Sequence, residues 1–353
     1  MSTLHVVVPQ GIDDPAEPSG GNVYDRRICT GLAASGWSVR ERDVPGHWPE
    51  PDDAARNALA ESLRAIPDAS VTLLDGLIAS STPQVLEPHA DRLRMVVLVH
   101  TPLGQGLPPD APVAVAERAA LSAARAVVTT SHWTQRWLVE TYGLPTGRVH
   151  VAEPGADVAD LAPGTFAGGQ LLCVGAVTPG KGHDVLVAAL AAVADLPWRC
   201  LCVGPLTRDR GFAVQVDQQA QTDGIGDRVR FTGPRHGADL SASYAAADLL
   251  VLPSRAETYG IVVVEALAHA VPAVASDVGG VGEALGRGAD GRRPGLLVAP
   301  DDHEALAAAL RSWLVDPDLR FRLRRSARER RTTLTRWSQT TERLAHILGQ
   351  LAA

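Results

Sequence analysis

Short apolar runs, rich in β-branched residues, recur along this chain of 353 residues, and the stretches between them follow a helical rhythm. The first series falls at residues 4–8, 39–44, 71–74, 95–99, 126–130 and 149–152. Because most of these runs are continuously apolar rather than alternating, they predict parallel strands covered by helices on both faces. A second series follows at 171–174, 199–203, 229–231, 249–252, 273–276 and 296–298. Residues 154–169, rich in proline, glycine and alanine, separate the two. The pattern therefore predicts an α/β protein of two Rossmann-like, doubly wound parallel-sheet domains, over residues 1–160 and 161–332. A last helix, over about 333–353, is expected to return to the first domain. Ligands of open α/β sheets bind at the carboxyl ends of the strands, so a cleft between two such domains is the expected active site.

An apolar content of 45% is enough for a sizeable core in each domain. The formal charge of −7 excludes a general nucleic-acid binder, so any anionic ligand needs a local site. The first ten residues lack a basic segment followed by an apolar one, and no apolar run approaches the ~18 residues of a membrane span. A soluble, cytoplasmic protein is expected. Cys29, Cys173, Cys200 and Cys202 form no CxxC pair and read as small core residues. Arginine is dense near the end, at Arg320, Arg322, Arg324, Arg325, Arg328, Arg330, Arg331 and Arg336. Contact with an anionic membrane surface is conceivable there, but a solvated helix face is the preferred reading.

Candidate chemistry gathers in the second domain. Of 33 basic residues only Lys181 is lysine, in the loop after the run 171–174. A compact ammonium suits a site enclosing one phosphate oxygen, which a planar guanidinium does not match in shape. The densest segment is 253–267, read as strand end, loop and helix. A helix starting near Gly260 offers backbone N–H groups and a positive dipole end to phosphate. Glu257 and Glu265 bracket that helix start, roughly 10 Å apart at 1.5 Å per residue, a span suited to the two ends of a nucleotide-sugar. Val262, Val263 and Val264 are poor helix formers, so tertiary packing must hold the turn.

That segment resembles the E-x7-E signature of the retaining glycosyltransferases of family 4, which have the GT-B fold. Other pieces resemble the family in order: Gly20 and Gly21 after the first strand, His100, the stretch 153–157, Gly175 through Lys181 and Gly182, and 295–300. The resemblance implies a hexosyltransferase that takes a nucleotide-diphosphate sugar as donor and a hydroxyl group as acceptor, with no metal and no other cofactor. Glu257 would hold donor hydroxyls and Glu265 the ribose. Lys181, the Gly20 and Gly21 backbone, and the amides around Thr258, Tyr259, Gly260 and Ile261 would hold the diphosphate. The loop at Gly279 and Gly280 would meet the donor, and His100 would contact the sugar near the reacting centre. A UDP-sugar is preferred over a GDP-sugar. The acceptor is not specified, although Asp13, Asp14, Asp75, Gly76, Leu103, Gln105 and Trp133 are offered by loops on the acceptor side.

One position departs from the family pattern: Ala176 stands where an arginine usually follows the glycine. A lost donor to the leaving group commonly costs ~3 kcal/mol. Arg208, Arg210 and Arg255 are the candidates to replace it. Without a replacement, the alternative is a nucleotide-sugar-binding protein that is weak or inactive in transfer. Gly280 to Gly286 superficially resembles a dinucleotide fingerprint, which would make an NAD(P)-dependent oxidoreductase a third reading.

Overall fold

A computed structural model describes residues 2–352. The chain forms two compact units: one comprises the chain up to Asp13, Ser19–Gly155 and the residues from Thr335 on, the other Asp14–Pro18 and Ala156–Leu334. Each is built on one six-stranded sheet whose strand pairs are all parallel.

In the first unit the strands are β1 (Thr3–Pro9), β2 (Ser38–Val44), β3 (Val71–Asp75), β4 (Arg94–Val99), β5 (Ala126–Thr129) and β6 (Val149–Val151), in the order β2-β1-β3-β4-β5-β6. The central strands are the most apolar: every residue of β3 is buried, as are five of the six in β4. Strand order reverses between β1 and β3, and at such a switch point the flanking loops diverge and leave a crevice. The first residue of the helix Gly20–Ala34, the last of β3 and the first after β4 bring Gly20, Asp75 and His100 there. The last helix, Trp337–Ala352, belongs to this unit and buries Leu344, Ile347 and Leu348 against Ile28 and Leu32 of the helix Gly20–Ala34. Burial of each such side chain is worth about 1.5–3 kcal/mol. The two helices approach so closely that a Cβ on Gly31 would lie 2.3 Å from Thr341 Oγ1, so glycine is required at that crossing.

The second unit carries β7 (Gln170–Val174), β8 (Arg199–Val203), β9 (Val229–Phe231), β10 (Leu249–Leu252), β11 (Ala273–Ser276) and β12 (Gly295–Val298), in the order β12-β11-β10-β7-β8-β9. Here the switch point lies between β7 and β10, which pair through Leu171–Leu249 and Leu172–Leu250. The loop after β7 holds Lys181 and the loop after β10 holds Glu257, so the fold itself places the two together.

Several arginines of the basic segment act inside this unit. Arg324 donates to the fully buried Asp248 at 2.6 Å and to Thr165 O at 2.9 Å, fastening the start of the unit to the helix Pro317–Arg331. Arg320 is buried and donates to Trp313 O and Leu314 O, and Arg331 donates to Ala268 O at 2.7 Å. Arg322 and Arg328 face solvent. The cluster is thus partly a set of staples between elements, as well as a solvated face. No helix among the described residues is long and apolar enough to cross a membrane.

Candidate functional site

At the switch point of the second unit, backbone contacts bind the loops after β7 and β10 to one another. Arg255 N donates to Gly180 O at 2.9 Å. Gly182 adopts φ +68°, and a Cβ there would lie 2.1 Å from Pro253 O. Pro179–Lys181 forms a single 3-10 turn that lifts the lysine over Gly175, where an added Cβ would already touch the lysine stem at 3.7 Å. Lys181 Nζ donates to Glu257 Oε1, and Ser254 Oγ donates to the same oxygen at 2.9 Å. Glu257 is mostly buried while Lys181 keeps about a third of its side chain exposed. The ammonium is therefore anchored on one side and open on the other.

The helix after this loop is Ile261–Ala268, and no side chain caps it. Gly260 precedes it at φ +91°, a left-handed conformation that glycine adopts without strain. Val263 and Val264 are buried in the core, which supplies the tertiary support that their low helix propensity requires. Thr258, Ile261 and Glu265 stay partly exposed, and Tyr259 is buried. Gly279 (φ +53°) and Gly280 close the turn from the β11 side: Gly280 N donates to Glu257 O at 3.3 Å, and a Cβ on Gly279 would lie 1.6 Å from that oxygen. These glycines thus shape the Glu257 loop, and the helix that follows, Val281–Leu285, has only five residues. That is a poor match to a dinucleotide loop opening a long helix.

Glu265 is set by a residue with no sequence signal. Tyr244, on the helix Gly237–Ala245, donates its hydroxyl to Glu265 Oε2 at 2.6 Å and stacks on His269, with 5.6 Å between ring centroids. Burial first, then the Glu265 charge, push the Tyr244 phenol well above its ordinary pKa, so it stays a donor. If Glu265 holds the donor ribose, as the sequence leads one to expect, Tyr244→Phe should leave the fold intact and raise the KM for a nucleotide-sugar several-fold with kcat little changed, because Glu265 loses one of the bonds that orient it. Steady-state kinetics with the donor varied checks this.

Of the three arginines considered for the Ala176 position, Arg255 is committed elsewhere. It grips Asp184 through two bonds of 2.9 and 2.7 Å and also binds Asp301 at 2.9 Å. Those bonds hold it firmly protonated and fix the loop. Arg208 donates to Glu17 at 2.9 Å, and Arg210 is exposed at the start of its helix. The Ala176 methyl brings no charge.

The first unit holds its own cluster. Gly20 opens the helix Gly20–Ala34, capped by Ser19 Oγ accepting from Asn22 N at 3.0 Å. His100 Nε2 lies 2.8 Å from Asp25 Oδ1 and 3.7 Å from Asp75 Oδ2. Tyr24 meets the imidazole edge-on at 5.3 Å, and a Cβ on Gly21 would approach its Cδ2 at 3.2 Å. The loop after His100 is pinned by Glu117, a fully buried carboxylate that accepts from Leu103 N, Gly104 N and the Tyr142 hydroxyl at 2.9, 2.9 and 2.7 Å. Asp75, expected in a loop on the acceptor side, instead ends β3 and faces His100, while Asp25 and Glu117 lie inside helices and had no signal.

These features define an α/β protein with an anion-ready switch point. Residues 18–160 match the family model for Glycosyltransferase Family 4, and residues 168–316 match that for Glycosyl transferases group 1. A D-inositol 3-phosphate glycosyltransferase of Nocardia farcinica is 31% identical over 366 aligned residues, covering 88% of this chain and 79% of that protein. The protein of the same name from Salinispora tropica is 34% identical, but the match covers 61% of this chain and only 49% of that one. Among solved structures, sucrose-phosphate synthase from Thermosynechococcus elongatus superposes with a TM-score of 0.80 at 24% identity, over 99% of both chains. Anabaena HepE in complex with UDP-glucose gives 0.76 at 18% identity, over 99% of this chain and all of that one. The chain belongs to the family 4, group 1 glycosyltransferases, and its fold is GT-B.

Proposed function

We propose that this protein transfers a hexosyl group from a UDP-sugar to a hydroxyl acceptor with retention of configuration, without a metal ion, in the cytoplasm. The observation that carries the reading is the juxtaposition of Lys181, Glu257 and an uncapped helix start at Gly260 on one switch point. Lys181 and the amides at the start of the helix Ile261–Ala268 would take the diphosphate, where an ammonium and a helix dipole both favour negative charge. The partly exposed Thr258 and the loop at Gly279 and Gly280 border the same turn. Glu257 would accept hydroxyls of the sugar and Glu265 those of the ribose. His100, with the Gly20 and Gly21 backbone, is assigned to the same donor by the family resemblance.

In the reaction the bond from the anomeric carbon to the diphosphate oxygen breaks and the electron pair stays on that oxygen. The acceptor hydroxyl attacks the same face, and its proton passes to the leaving phosphate oxygen. Charge develops on the diphosphate, so Lys181 and the helix start stabilise the step more than the ground state. HepE has been solved with UDP-glucose, and this supports a UDP-sugar donor here. The relatives' name makes an inositol phosphate the first acceptor to try.

A second reading has its own observation: Ala176 removes a cation, Arg255 is tied to Asp184 and Asp301, and Arg208 is tied to Glu17. On that reading the protein binds the donor and transfers slowly or not at all. Incubation with UDP-glucose, UDP-N-acetylglucosamine and their GDP counterparts, with and without 1D-myo-inositol 3-phosphate and EDTA, separates the two. An α-linked product formed equally in EDTA supports transfer. Tight UDP binding without product supports the second reading, and product that vanishes in EDTA removes metal independence.

A further inference from the structure

We infer that Asp25 and Asp75 hold one proton between them and fix His100 as a hydrogen-bond donor, Nε2 turned inward and Nδ1 turned outward to meet an oxygen of the ligand. Asp25 comes from the helix Gly20–Ala34, Asp75 ends β3 and His100 follows β4, so three elements converge at the switch point of the first unit. Both carboxyl groups are about 95% buried. One side-chain oxygen or nitrogen from each of the three residues lies within 4.8 Å of the others.

The key atom is Asp25 Oδ2, which is buried and has no hydrogen-bond partner. Its sister Oδ1 takes the Nε2 hydrogen of His100, and Asp75 Oδ1 takes Leu77 N–H at 2.7 Å. A buried carboxylate oxygen left unmet is costly, and two neighbouring carboxylates cannot both ionise cheaply out of water. One proton between them removes both difficulties, as in other carboxyl pairs that share a site. The remaining negative charge then favours imidazolium at His100.

The charge balance agrees with this arrangement. Burial, then the Asp25 charge, push the Asp75 carboxyl up to about 7, against the pull of His100 and the Leu77 amide. Burial alone would lower the pKa of His100, but Asp25, by charge and hydrogen bond, and then Asp75 raise it on balance. The charged groups acting on Asp75 are Asp25 and His100. Of the rings in the cluster, Tyr24 meets His100 and Trp337 meets Tyr24, and neither carries a charge. Arg27 lies beyond, 6.0 Å over the Trp337 ring. Tyr24 stands against the His100 ring edge-on, and the space between the imidazole Cδ2 and Gly21 would not admit a Cβ without a shift. Nδ1 makes no hydrogen bond to another described residue, so it is the donor left for a ligand. Asp25 and Asp75 are then positioning residues: they act through His100. Only the identity of the ligand rests on the proposed sugar transfer; the protonation of the three side chains does not.

Nitrogen-15 NMR of the full chain without substrate reads that state, with the His100 signals assigned by their loss in His100→Gln. In the wild type His100 should be doubly protonated at pH 7. Asp75→Asn, whose amide can donate to Asp25 Oδ2, should keep that state and the wild-type melting temperature near pH 5. Asp25→Asn should move His100 to neutral at pH 7. The pH dependence of melting follows from the sign of the shift. The folded state holds the Asp75 proton more tightly than the unfolded chain, so its stabilisation is full below about pH 4 and is lost as the pH rises through about 7. Asp75→Asn lacks that loss and should gain on the wild type steadily from pH 4 to 8. A neutral His100 in the wild type at pH 6 would overturn the inference, as would a parallel pH course for the wild type and Asp75→Asn. So would one equivalent of a divalent ion copurifying with the wild type and absent from Asp25→Asn, because the cation would then replace the shared proton. An unperturbed histidine with full transferase activity would fail this inference and leave the proposed function standing.

Discussion

Replacing Glu257 by glutamine should reduce sugar transfer by about 10²–10³-fold while leaving the affinity for UDP within a few-fold of wild type. Glutamine keeps the length of the side chain and can still accept from Ser254, which holds the carboxylate at 2.9 Å, so the loop after β10 should keep its shape. What it loses is the negative oxygen that Lys181 now contacts and that the proposed mechanism assigns to the sugar hydroxyls. UDP carries no sugar, so it should scarcely register the change. Product formation under saturating donor, paired with calorimetric titration of UDP, reads the two quantities separately. Equal loss of both would mean that Glu257 serves the phosphates or the fold instead.

Lys181→Arg should weaken donor binding by about tenfold or more despite unchanged charge. The lysine ammonium rests on a single oxygen of a mostly buried carboxylate and keeps its other side open. A guanidinium is wider and would span both oxygens of Glu257 in a firmer, two-bond pair, which holds it away from a phosphate and occupies the oxygens proposed to accept from the sugar. The outcome is checked by titrating UDP and a UDP-sugar into the variant after confirming an unchanged melting temperature. Wild-type affinity would show that this chain's single lysine is an accident of composition.

How far the chain could be read depends on what each feature rests on. Most of the twelve strands were legible because a parallel strand covered on both faces leaves a run of apolar residues that needs no partner to be recognised; β2, with Arg40, Glu41, Arg42 and Asp43, lies at the sheet edge and was legible only from its place in the β/α rhythm. The edges differ by a residue or so: β5 stops at Thr129 and β6 at Val151, one short of expectation in each case, while β1 extends one residue beyond expectation at each end. Lys181 and Glu257 were legible from loop chemistry and motif, and their contact follows from a switch point that the strand order creates. Arg255 shows the opposite situation. From sequence it was a spare cation near the site, but Asp184, 71 residues away, and Asp301 claim it, and no local pattern announces a pair of that separation. Asp25 sits beside Arg26 and Arg27 with no local pattern to mark it, yet it is buried and meets His100, which follows β4 75 residues on. Tyr244 was one tyrosine in an alanine-rich helix until folding brought Glu265 to its hydroxyl.

The switch point between β7 and β10 is proposed as a metal-independent site for a uridine diphosphate sugar. Thermal unfolding with UDP, GDP, ADP and their glucose conjugates, each with and without EDTA, addresses it most directly. A ligand at 100 times its Kd adds about 2.7 kcal/mol to stability, enough to move the melting temperature by degrees. A rise is expected with UDP and UDP-glucose, unchanged by EDTA and reduced in Lys181→Arg. No rise with any nucleotide, or a rise that EDTA abolishes, would contradict it.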